Sequence, residues 1–125
     1  MAVMTIPIRL PDATLVDLVT YRKDGRPVHT PVLSTPRGGD LLIQTHDTAG
    51  KLKRLRHNPA VEVAPCDGRG RHLGKAERGT ARILDSAETW GCQQLLLRRH
   101  GLIGRGSTLL RRLRGQIVFI EVRLP

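Results

Sequence analysis

At 125 residues the chain has the size of one ordinary domain, long enough to bury about two-thirds of its unfolded surface and to fold without a disulfide or a metal. Lysine and arginine number 21 against 11 acidic residues, a formal net charge of +10, which selects polyanions as partners: nucleic acid, an anionic membrane or a phosphorylated ligand. One Trp, one Tyr and one Phe leave almost no aromatic platform, Cys66 and Cys92 lack zinc-ligand spacing, and no run approaches the ~20 apolar residues of a membrane span.

The first twelve residues hold two prolines and read as an arm, so the expected organisation is an arm over 1–13 and a single domain over 14–125. With no basic, apolar leader at the start and two cysteines expected as buried thiols in a reducing compartment, the chain reads as cytoplasmic. Leu15 to Tyr21 is apolar and β-branched, a strand. Lys23-Asp24-Gly25-Arg26-Pro27 follows, and Asp-Gly is a hairpin signal. Val28 to Thr35 is the returning strand. Pro31 inside it removes one ladder N–H, which puts that point at an edge, at a bulge or against a ligand. Arg37-Gly38-Gly39-Asp40 turns the chain into a third strand, Leu41 to Thr45.

A basic helix is predicted next, over about 48–57, capped by Asp47 or Thr48 and ended by Asn58-Pro59. Leu52 and Leu55, three apart, form its apolar side. Lys51, Lys53, Arg54, Arg56 and His57 crowd the rest, and a helix N-terminus flanked by lysine and arginine is a plausible phosphate seat. Ala60 to Pro65 alternates as a strand. Cys66 to Gly74 is a polar connection carrying Arg69 and Arg71. Ala76 to Leu84 is a strand with Gly79 expected at a bulge. Ser86 or Asp85 caps a helix to His100, Gly101 stops it, 102–114 is a possible second short helix, and Gln116 to Arg123 is the last strand. The order β-β-β-α-β-β-α-β, with short turns, favours a closed or split antiparallel barrel over an open sheet, because closure removes edges.

Three segments in order resemble a known family: Tyr21-Arg22-Lys23-Asp24-Gly25-Arg26-Pro27-Val28-His29-Thr30-Pro31-Val32, then Gly50-Lys51-Leu52-Lys53-Arg54-Leu55-Arg56-His57-Asn58-Pro59, then Val63-Ala64-Pro65-Cys66-Asp67-Gly68-Arg69-Gly70-Arg71. With the Glu77 to Arg82 strand after them, they are similar to the flavin/deazaflavin-dependent oxidoreductases, B group. These are pyridoxamine 5'-phosphate oxidase-like (PPOX-class) proteins typical of actinobacteria. The likeness runs from about residue 14 to 125.

The resemblance implies a mainly β (α+β) fold, a six-stranded antiparallel split β-barrel of the FMN-binding type with helices at the barrel ends. It implies a homodimer with two cofactor sites at the subunit interface and a small-molecule substrate. The implied cofactor is coenzyme F-420, a deazaflavin with a phosphate and an oligoglutamate tail; FMN, FAD and haem are the alternatives within the class. Carried over, Lys51, Lys53 and Arg54 match the phosphate-contacting segment, with Thr45 at the strand end before it. Val28, Thr30, Pro31 and Val32 match the strand that lies along the ring, touching it through backbone groups. Leu33-Ser34-Thr35 stand where the family has a bulky aromatic, which implies a wider pocket or a weaker cofactor grip.

The implied activity is an F-420-dependent reduction of an activated double bond in a small conjugated molecule. An FMN- or FAD-dependent reductase or oxidase, and a non-catalytic split barrel that carries a cofactor or haem, are the alternatives. Hydride chemistry belongs to the cofactor and needs no protein nucleophile. No Ser-His-Asp pattern, GxSxG elbow or metal-ligand spacing is present. No catalytic residue is assigned; the proton source is Tyr21, His29 or solvent. The arginines at 98, 99, 105, 111, 112 and 114 offer phosphate contacts for nucleic acid, but the lack of stacking aromatics and of a reader motif argues against that use.

Overall fold

The structure, a computed structural model, describes residues 7–46, 50–100 and 117–125. The first hairpin joins strand β1 (Leu15–Tyr21) to strand β2 (Pro27–Arg37). Its three-residue loop closes with Arg22 N–H donating to the Arg26 carbonyl and Gly25 N–H to the Arg22 carbonyl, both at 2.9 Å. Gly25 takes φ +88°, the left-handed residue that such loops require. The second turn has Gly38 and Gly39 both at positive φ between Arg37 and Asp40, the geometry of a two-residue hairpin loop, and leads into strand β3 (Asp40–His46). Helix α1 (Gly50–His57), strands β4 (Ala60–Pro65) and β5 (Glu77–Ile83), helix α2 (Ser86–His100) and strand β6 (Ile117–Arg123) follow.

The six strands close into an antiparallel barrel in the order β1-β2-β3-β6-β5-β4, with β4 returning to β1. Strand alternation sorts the side chains. Val16, Leu18, Val32, Leu41, Ile43, Val61, Val63, Ala81, Ile120 and Val122 form the buried interior. Leu52 and Leu55 of α1 join that cluster, so α1 packs on the barrel core through the two leucines its spacing put on one face. Burial of each contributes roughly 1.5–3 kcal/mol before chain-ordering costs. Outside the barrel, Cys92 and Leu96 of α2 cover Leu42 and Phe119. Leu10, in a 3₁₀ turn (Leu10–Asp12), and Ala13 are also buried, so the lead-in contributes to the core.

Asp85, rather than Ser86, caps α2. Its Oδ1 accepts the Glu88 N–H at 2.9 Å while Glu88 Oε1 accepts the Asp85 N–H at 3.3 Å, a reciprocal box. Gly79 is not at a bulge: its register against β4 runs unbroken from Ala60↔Thr80 to Val63↔Glu77. It is glycine because a Cβ there would lie 2.7 Å from the Arg123 carbonyl oxygen and 3.0 Å from Val122 Cγ1. The predicted caps Asp47 and Thr48, the stop at Gly101 and the segment 102–114 lie outside the described residues. Among the described residues no helix is long and apolar enough to cross a membrane.

Candidate functional site

The barrel is closed in order but parted along one seam. β2 pairs with β3 only from Ser34↔Ile43 to Arg37↔Asp40. Continuing that register would set Leu33 against Gln44 and Pro31 against His46, yet no such pairing exists, and β3 runs on paired with β6 alone. Over residues 27–33 β2 is therefore laddered on one side only, to β1.

Which groups face the open side follows from the ladder phase. Ser34 N–H bonds to the Thr14 carbonyl and Arg22 N–H to the Arg26 carbonyl, so the even-numbered residues of β2 exchange backbone bonds with β1. The backbone groups of His29, Pro31 and Leu33 then point to the open edge. This corrects the expectation for Val28, Thr30 and Val32. Their backbone groups are turned to β1, and Val32 is 5% exposed in the barrel core. Pro31 is exposed and does lie with its backbone at the edge, at a position where the missing N–H costs no ladder bond. Leu33, Ser34 and Thr35, the residues in place of the expected aromatic, are all buried.

One end of this edge opens on a basic pocket of about 490 Å³ between the first hairpin and α1, lined by Tyr21, Arg22, Lys23, Asp24, Arg26, Gly50, Lys53, Arg54 and His57. Its size suits a small ligand. Asp24 is engaged by Arg26, whose Nε lies 2.7 Å from its carboxylate. Arg54 Nε donates to Thr20 Oγ1 at 2.7 Å, and the guanidinium folds back over the helix start, where a Cβ on Gly50 would lie 3.0 Å from Arg54 Nη1. Burial, with the Arg22 charge added, lowers the Arg54 pKa from its ordinary value. Among the described residues, Arg22, Lys23, Lys53 and Arg54 pair with no carboxylate. A half-enclosed cluster of cations at the start of a helix, with no carboxylate partner among the described residues, favours an anion. Lys51 faces differently: its Nζ donates to Thr45 Oγ1 at 3.2 Å, tying α1 to the end of β3. The structure thus brings Lys53 and Arg54 into the pocket, and Lys51 with Thr45 onto the β3 end of the opening.

A constellation not foreseen from the sequence lies on the outer face of β1 and β2. Asp17 is buried, its side chain 3% exposed, and its Oδ2 accepts two hydrogen bonds of 2.8 Å, from His29 Nδ1 and from His72 Nε2. Burial pushes this carboxyl up, but the two histidine hydrogen bonds outweigh it and hold Asp17 below its ordinary value. Asp17 Oδ1 is buried without a partner. The 66–74 connection that brings His72 is fixed by Asp67. Asp67 Oδ1 accepts the N–H groups of Arg69 and Arg71, and its Oδ2 accepts Arg71 Nε at 2.7 Å. Arg71 is thus a loop brace and Arg69 an exposed loop charge. Residues 17, 29 and 72 are too far apart in sequence for spacing to have joined them. Tyr21, the other candidate proton source, donates toward Glu62 at 3.4 Å; burial first, and then Glu62, raise its pKa. No group of three His, Cys, Asp or Glu able to hold a metal ion occurs among the described residues.

Comparison with solved structures places this architecture. The fold, a six-stranded antiparallel split barrel, is shared with solved structures of other proteins. The chain superposes on an F420 reductase with a TM-score of 0.62 and 19% identity, covering 93% of this chain and 90% of that one. It matches a pyridoxamine 5'-phosphate oxidase-like protein from Listeria innocua (TM-score 0.59, 16% identity, 89% and 83% covered). It matches equally well the haem storage protein HutZ from Vibrio cholerae (TM-score 0.67, 18% identity, 91% and 83% covered). At these identities the likeness is one of fold. No family model and no curated sequence matches the chain.

Proposed function

We propose that this chain is a PPOX-class oxidoreductase that binds coenzyme F-420 and reduces an activated double bond of a small conjugated molecule. The observation that carries this reading is the continuity of two features. The open edge of β2 begins at Pro27, beside the Arg26 wall of a pocket whose cations Arg22, Lys23, Lys53 and Arg54 have no carboxylate partner among the described residues. An edge of seven residues spans about 20 Å, room for a flat ring whose acidic tail reaches the pocket. The fold it shares with an F420 reductase and an oxidase-like protein supports a flavin-type ligand.

When bound, the cofactor supplies the hydride. The chain's own residues bind and orient. Lys53 and Arg54, with the α1 N-terminus, hold the phosphate-bearing tail. The His29 N–H and the Pro31 carbonyl at the β2 edge meet the ring's polar rim. Lys51, through Thr45, fixes the β3 end of the opening. A second copy of the chain completes the cleft by covering the open edge, so the working form is a homodimer.

Titration of the protein with F-420, followed by cofactor fluorescence, is expected to show saturable binding that weakens with salt. Reduced F-420 is expected to be oxidised in the presence of enones or quinones. A yellow protein with flavin absorbance transfers the same reading to FMN or FAD. A protein that neither binds nor oxidises any of them ends it.

A further inference from the structure

We propose that His29 is the proton donor of this site, held in place by Asp17 as its positioning residue. The proposal rests on the reading above, since it names the partner of the hydride.

Four observations lead to it. His29 stands in the part of β2 that is laddered on one side, its own backbone faces the open edge, and its imidazole lies on the outer face of the strand next to that edge. Its Nδ1 is 2.8 Å from Asp17 Oδ2. A carboxylate held ionised can only accept, so Nδ1 carries the hydrogen and Nε2, across the ring, is left for exchange. The side chain is 58% exposed, which leaves that nitrogen within reach of substrate and of water. Asp17 itself is buried, its side chain 3% exposed, so the acceptor that holds the imidazole is fixed in place. The groups facing this cluster are His72 from the 66–74 connection, Cys66 beside it, and Asp67 further along. His72 shares the carboxylate and pins the connection to β1. Gly70 of that connection lies close to Pro31, where a Cβ would be 3.6 Å from Pro31 Cγ. Tyr21 is a poorer donor, because its hydroxyl already points at Glu62.

The step balances as follows. The acceptor's electron-poor carbon gains a hydride from the bound reduced deazaflavin or flavin, which leaves oxidised. The π pair moves to the neighbouring carbon and takes the proton from His29 Nε2. The imidazole is left neutral with Nδ1–H still on Asp17, and water reprotonates Nε2.

His29→Asn is the informative variant, because the Asn amide can still donate to Asp17 while the distal nitrogen is gone. Wild type and variant are given reduced F-420, and reduced FMN as second probe, with two acceptors. One is a cyclic enone, which needs a proton at carbon; the other is a quinone, whose oxygens take protons readily from water. Enone reduction is expected to fall about 10²-fold, and at least about tenfold further than quinone reduction falls in the same variant. Added imidazole is expected to restore part of the enone rate in His29→Ala. Independently of turnover, nitrogen-15 NMR of the cofactor-free protein is expected to show a protected proton on His29 Nδ1 that Asp17→Asn loses, with the enone pH profile displaced in the same variant. Equal losses with both acceptors, an unchanged enone rate, or an Nδ1 without its proton overturn the proposal and leave the cofactor reading intact. If wild type oxidises none of the reduced probes, both fall. Should His29→Asn fail to fold, imidazole rescue and the wild-type NMR spectrum decide alone.

Discussion

Two arginine-rich regions of this molecule are built on opposite plans. Around β6, Glu121 gathers Arg37 at 2.6 Å, Arg123 at 3.3 Å and Arg82 at 3.5 Å, and Arg82 also grips Glu88 at 2.9 Å. Burial raises the Glu121 carboxyl, yet these cations, led by Arg37, bring it below its ordinary value. Around α1 and the first hairpin, five lysines and arginines line a pocket with a single carboxylate, Asp24, which Arg26 engages, leaving four without a carboxylate partner among the described residues. The first cluster holds β2, β5, β6 and α2 together. The second adds self-repulsion to the folded state, offset at Arg54 by its hydrogen bond to Thr20. A net charge of +10 marks neither place; the pairing of the charges does.

The contrast predicts opposite outcomes for removing cations. The largest effect is expected for Lys53→Ala/Arg54→Ala, which should weaken binding of the phosphate-bearing cofactor by about 10²-fold or more, roughly 3 kcal/mol, by analogy with lost charge-assisted contacts. Thermal unfolding should change little, since only the Arg54–Thr20 hydrogen bond is lost. Equal losses of binding in Arg37→Ala would erase the distinction. Arg37→Ala should instead cost about 1–2 kcal/mol in urea unfolding, the half-exposed guanidinium being partly screened, with cofactor affinity unchanged.

Asp17 gives a pH test. Its native pKa is lowered, so its contribution is fully present above the unfolded value near 3.9 and is lost as pH falls through the native one. The stability gap between wild type and Asp17→Asn should be about 1–2 kcal/mol at pH 7 and should narrow below about pH 4, read by urea unfolding at each pH. A gap unaltered by acid would mean that packing, not charge, carries the effect. Gly79→Ala, away from both clusters, should cost about 1–3 kcal/mol through the clash with the Arg123 carbonyl, with no change in binding. The smallest expected effect is for Gly50→Ala, a few-fold weaker binding at most, because the Cβ meets only the flexible end of Arg54.

Much of the barrel was legible from the chain. Alternation and the Asp24-Gly25 and Gly38-Gly39 turns fixed the strands to within a residue or two, and Leu52 and Leu55 announced which face of α1 packs inward. That Lys53 and Arg54 stand together beside the first hairpin was legible for the same reason: a helix that follows a strand and carries cations at its start is a local pattern. Of the edge-facing residues Pro31 was expected, but His29 and Leu33 were not, because strand phase depends on the exact loop. One residue more between Arg22 and Arg26 would exchange His29 for Val28 at the rim. The Asp17 constellation was missed because it is assembled by the β1–β2 register and by a polar connection returning 55 residues later. Gly79 was read as a bulge because glycine in a strand has two uses, and only the barrel's closure against Arg123 selects between them.

Two of the three prolines of β2, Pro27 and Pro31, have a consequence beyond ligand access. Both Pro27 and Pro31 sit at odd positions, where a main-chain N–H would have pointed outward from the parted seam. A strand from another molecule that tried to zip onto this rim would find carbonyls but, between Pro27 and Leu33, a single donor, at His29. A single chain can therefore carry this parted seam without inviting amyloid-like stacking, the hazard that otherwise attends an exposed strand margin.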